Sequence, residues 1–94
     1  MDNLTILKPD DWHVHLREGV ILKNIIPFTS KVFGRAVVMP NTKDPITSIE
    51  KANLYKKNIY DSLHSDSEFQ PLMTLYLTDE TIKEEVKRGF QNDV

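Results

Sequence analysis

His13 and His15 flank a single valine, and Arg17 follows two residues further on. In an extended strand, residues two apart project from one face, so this spacing predicts that both imidazoles and the guanidinium point the same way. Two neighbouring imidazoles can share one metal ion, and a guanidinium beyond them can hold a carboxylate through a two-pronged hydrogen bond. That combination points to metal-assisted hydrolysis of an anionic substrate. The set is incomplete, because a catalytic metal site ordinarily takes three ligands from the protein. By spacing alone, a structural histidine pair on a half-buried strand is the commoner meaning of His-x-His.

Placement along the chain adds weight. The pair falls at the C-terminal end of a predicted first strand over residues 11–16, entered from Lys8-Pro9-Asp10. Carboxyl ends of strands are where barrel enzymes assemble their sites. Arg17 is read either as an inward group with an anionic partner or as a surface residue ion-paired with Glu18 or Asp44. Asn41, after Met39-Pro40, both donates and accepts, which suits a substrate carrying amide and carboxylate together; as a turn residue it is read equally well. Asp79 is read as a ligand or base, with a helix cap there or at a neighbour preferred. Trp12 alternates with the histidines and is expected to face the helix layer as core. His64 is expected to be exposed near the end of the second helix, where it favours the helix dipole.

These residues need elements to hold them, and the apolar pattern supplies six. A helix is predicted over residues 20–30, with Pro27 kinking it or ending it early because its missing amide cannot bond the Lys23 carbonyl. Residues 34–40, with the unalternating Ala36-Val37-Val38-Met39, predict a strand buried on both faces, as in parallel sheets. Thr47-Ser48-Ile49-Glu50 reads as a capping box with Thr47 as the cap. Ile49, Ala52, Tyr55, Ile59 and Leu63 then give the docking face of a second helix. A third strand is predicted over residues 71–77, and a third helix with Ile82, Val86 and Phe90 on one side. The order β-α-β-α-β-α predicts parallel strands joined by crossovers. The fold class is therefore α/β, and residues 1–94 read as the first three βα units of a TIM-type (β/α)8 barrel, which needs about 250 residues. The alternative is a small open sheet that closes by oligomerising and binds a partner through its edges.

Composition excludes several function classes. The chain has 94 residues, formal net charge −2, 28% charged and 39% hydrophobic residues, so there is no electrostatic case for nucleic acid or an anionic membrane. With no cysteine, a metal must be held by histidine and carboxylate. No apolar run approaches the ~20 residues of a membrane span, and residues 1–11 lack a signal-peptide core. A cytoplasmic location is expected.

Three segments, Lys8-Pro9-Asp10-Asp11-Trp12-His13-Val14-His15-Leu16-Arg17, Gly34-Arg35-Ala36-Val37-Val38-Met39-Pro40-Asn41 and Pro71-Leu72-Met73-Thr74-Leu75-Tyr76-Leu77-Thr78-Asp79, occur in this order. Together they resemble the N-terminus of dihydroorotase, specifically the single-function bacterial type of the amidohydrolase superfamily. The resemblance implies a (β/α)8 barrel, two zinc ions per full-length active site, and reversible interconversion of N-carbamoyl-L-aspartate and L-dihydroorotate in pyrimidine biosynthesis. It implies His13 and His15 as zinc ligands and Arg17 and Asn41 as partners of the substrate carboxylate. A homodimer is an open expectation for the full-length protein. Glu18 stands where the family usually has Asp, and Thr42-Lys43-Asp44-Pro45 varies the usual loop. The family's bridging lysine, later histidines and general-base aspartate are expected beyond Val94, so no catalytic residue is assigned here and the chain alone is expected to be inactive. A related amidohydrolase, of the allantoinase or dihydropyrimidinase kind, is the remaining enzyme reading.

Overall fold

The computed structural model describes residues 3–94. Its elements run β1 (Asp10–Val14), α1 (Gly19–Val32), β2 (Arg35–Val38), α2 (Ile49–Ser62), β3 (Gln70–Leu72) and α3 (Lys83–Gln91). The three strands form one parallel sheet in the order β1-β2-β3, as the alternating pattern predicts. Among the described residues, no helix is long and apolar enough to cross a membrane.

One face of the sheet carries the core. Ala36 and Val38 of β2 are buried there with Leu22 and Ile26 of α1, Ala52, Tyr55 and Ile59 of α2, and Leu16, Ile46, Phe69 and Met73 from the connections. Leu22, Ile26 and Thr29 fall at i, i+4 and i+7 and are the buried residues of α1; each large aliphatic contributes about 1.5–3 kcal/mol by leaving water. The opposite face carries the Arg35–Asp10 ion pair, at 2.6 Å, and the partly exposed Leu72. Arg35 bonds both Asp10 carboxylate oxygens and thereby holds that carboxyl below its usual range.

Several local expectations change. Pro27 lies inside α1, which nonetheless continues to Val32; Pro27 and Lys23 are both exposed, so water can take the freed Lys23 carbonyl. The cap of α2 is Ser48, whose side chain accepts from the Lys51 amide, and not Thr47. Glu50 does not close a capping box but pairs with Arg88, 2.5 Å away. The carboxylate at the start of α2 comes from α3 instead: Glu85 accepts from the Ile49 amide at 2.8 Å, one of the orphan donors of a helix N-terminus.

β3 stops at Leu72, well short of residue 77. Beyond it the Thr74 hydroxyl takes the Val38 carbonyl and the Tyr76 amide bonds Ile46 in the loop before α2, so ladder pairing ends. The predicted apolar side of α3 is also not a docking face: Ile82 and Phe90 are 62% and 80% exposed. This helix meets the body through buried Gly89, beside Ile49 and Leu75. It starts after Ile82 with no side-chain cap, and Asp79 caps nothing; Thr78 and Thr81 bond each other in the turn before it.

Candidate metal and substrate site

β1 does not alternate regularly. Asp11 pairs with Ala36 and Val14 with Val38, so three steps along β1 match two along β2. This is a bulge, and it places one extra residue between two that face the same way. Asp11 secures it by accepting the His13 amide at 3.0 Å, and Val14 still packs on the core. Trp12 is therefore not core, as plain alternation requires, but 78% exposed, beside Asp10, Arg35, Val37 and Leu72.

The bulge leaves His13 and His15 together at the carboxyl end of β1. Their Nε2 atoms are 3.1 Å apart, with ring centroids 4.9 Å apart and planes at 66°. The β2 chain is held alongside by the Met39 amide, which donates to the Val14 carbonyl at 2.9 Å. Asn41, past the end of β2, sets its Oδ1 2.9 Å from His15 Nδ1. These three residues, with Met39, Pro40, Leu75, Tyr76 and Leu77, line an open cleft of ≈ 460 Å³, within the range of small-ligand sites.

Arg17 stands apart from this group. The strand ends at Val14, so the alternation argument does not carry to Arg17, whose backbone is left-handed at φ 60°. Its side chain is exposed, makes no ion pair among the described residues, and does not line the cleft. The salt bridge of Asp44 is with Lys51. What fixes this turn is a residue the sequence reading placed only in the core: the Tyr55 hydroxyl donates to the Arg17 carbonyl at 2.7 Å. A tyrosine on a docking face needs a partner for its hydroxyl, and that was the available signal. Burial, aided by Glu18, pushes the Tyr55 phenol up to about 12. His64 is exposed just past α2, beside Asp66.

The histidine pair fits a metal ion. Bonds of about 2.0–2.1 Å at a tetrahedral angle put two nitrogens about 3.3 Å apart, close to the separation seen. Among the described residues, no group of three or more His, Cys, Asp or Glu converges on one point.

No protein-family model matches the chain. By sequence it is similar to dihydroorotases: 52% identical over 91 residues to that of Cronobacter sakazakii and 50% over 91 to that of Salmonella paratyphi B. Each alignment takes in 97% of this chain and 26% of the relative, so the chain spans about a quarter of their length. By structure it is similar to a crystal structure of dihydroorotase from Campylobacter jejuni, with TM-score 0.81 and 32% identity over 89% of this chain and 25% of that one. A dihydroorotase from Saccharomyces cerevisiae in complex with 5-fluoroorotic acid gives TM-score 0.77 and 28% identity over 90% and 23%. The chain is thus dihydroorotase-like along nearly all its length, and its three βα units match the N-terminal part of those structures.

Proposed function

We propose that this chain forms the opening part of a zinc-dependent dihydroorotase, interconverting N-carbamoyl-L-aspartate and L-dihydroorotate. The observation that carries the reading is the convergence of His13, His15 and Asn41 at the carboxyl ends of two adjacent parallel strands. In the forward reaction a C–N bond forms between the ureido nitrogen and the side-chain carboxyl carbon, and one carboxylate oxygen leaves as water, taking one proton from that nitrogen and one from solvent; hydrolysis of the ring reverses this. His13 and His15 would hold zinc, which when bound polarises the reacting carbonyl and acidifies water. The carboxylate that does not react is the handle for orientation. Asn41 offers amide hydrogens to it; Arg17 does not line the cleft, and its bidentate fork would reach the carboxylate only on movement of the exposed turn that Tyr55 holds. No carboxylate lines the cleft, so these residues bind and orient without supplying a general base, and the chain alone is expected to be inactive.

The test is reconstitution. The 94-residue chain is mixed with a polypeptide covering the rest of the Cronobacter sakazakii relative, and dihydroorotate hydrolysis is followed with and without zinc. Zinc-dependent turnover that His13→Ala abolishes is the expected result. A folded, stable complex of the two pieces that leaves dihydroorotate untouched overturns the assignment.

A further inference from the structure

Each neutral imidazole carries one N–H and one lone pair. His15 Nδ1 faces Asn41 Oδ1 at 2.9 Å, and an amide oxygen only accepts, so Nδ1 holds the His15 proton. That leaves the lone pair on His15 Nε2, facing His13 Nε2 at 3.1 Å; His13 must then carry its proton on Nε2 and donate. We propose that Asn41 is a positioning residue: it fixes His15 in the tautomer whose Nε2 lone pair is aimed at the space shared with His13. Its own amide hydrogens remain for a carboxylate. The inference deepens the metal-site reading above, on which its purpose rests.

A consequence separates the two rings. His15 is ready to ligate through Nε2 as it stands, whereas His13 must first give up its Nε2 proton and take one on Nδ1, through solvent. Zinc binding therefore switches the tautomer of His13 alone. Turning the Asn41 amide over would reverse every proton in this relay, so the arrangement is decidable by experiment.

The probe is long-range ¹⁵N–¹H correlation on the histidine rings of the full chain, at about pH 8, where an ordinary histidine is neutral. The expected spectrum shows His15 as Nδ1–H and His13 as Nε2–H. Asn41→Ala releases His15 toward the Nε2–H form, and Asn41→Asp, which still accepts, retains Nδ1–H. Titration with zinc alone is expected to bind about 10–100-fold more weakly to Asn41→Ala, with Asn41→Asp restoring affinity. His15 found as Nε2–H in the unsubstituted chain overturns the proposal, and needs no variant to fold. Nδ1–H persisting in a folded Asn41→Ala overturns it too. Rings that keep the stated tautomers but ignore zinc support the positioning role and count against the metal reading alone.

Discussion

The contact between Tyr55 and Arg17 joins a core helix to the turn behind the histidine pair, and Tyr55→Phe removes only its hydroxyl. Tyr55 is 4% exposed, so phenylalanine keeps the packing and loses one 2.7 Å hydrogen bond, worth a net ~0.5–1.5 kcal/mol. Arg17 is exposed, so water can reach its carbonyl, and no bare-acceptor penalty is added. The expected loss is about 1 kcal/mol near neutral pH, or a fall of about 1 M in the urea midpoint at a small-domain m-value of about 1 kcal/mol/M. The turn pays for its left-handed residue, at φ 60°, with this bond among others, so a double-mutant cycle with Arg17→Gly should show coupling. The pH dependence reports the burial of the same phenol, the first cause of its raised value. The folded phenol, at about 12, lies above the unfolded value of about 10, so its contribution is complete below about pH 10 and is lost as pH rises toward 12. By about pH 11 the wild-type chain should lose on the order of 1 kcal/mol from this group, less what solvent screening removes, while Tyr55→Phe loses none of it. Urea curves at neutral and alkaline pH, fitted for both proteins, decide the matter. An unchanged midpoint at neutral pH would refute the clamp, and parallel alkaline losses would refute the burial of the phenol.

Other consequences are simpler. Ile26→Ala in the core, where Ile26 is 1% exposed, should cost about 2–5 kcal/mol by chemical denaturation, enough to unfold a marginal domain. Glu85→Gln keeps an acceptor for the Ile49 amide but discharges the carboxylate at the N-terminus of α2; a loss of about 0.3–1 kcal/mol is expected, and Glu85→Ala should lose more. Asp10 has its carboxyl depressed chiefly by the Arg35 hydrogen bond, so the pair's stabilisation is present above the ordinary carboxylate range and disappears as acid titrates Asp10. A ¹³C titration of Asp10 should return to an ordinary midpoint in Arg35→Gln, and an unmoved midpoint would discount the ion pair.

The sequence was most legible where a pattern had one meaning. The apolar run Ala36-Val37-Val38 marked β2, although only Ala36 and Val38 are buried and the expected cover on the second face is not seen among the described residues, and helical spacing from Ile49 to Ile59 picked out the residues α2 buries. The spacing of His13 and His15 was legible as a pair sharing one side of the chain, although His-x-His alone more often marks a structural pair. What escaped was non-local. Glu85 caps a helix 36 residues away, and Ser48 competes with Thr47 for the cap on grounds no local motif resolves. The end of β3 depends on Thr74 and Tyr76 finding partners in other loops. Trp12 and Arg17 were misplaced because alternation was extended through a bulge and past the last strand residue. Both errors have one cause: the period of two holds only while the ladder is unbroken.

That bulge gives β1 an unusual kind of sensitivity. Its phase depends on residue count, because Asp11 and Val14 stand opposite Ala36 and Val38 only with two residues between them against one in β2. Swapping Trp12 for another side chain leaves that arithmetic alone. Deleting one residue between Asp11 and Val14 would resynchronise the strand with β2 and separate the demands of the core from those of the imidazole pair.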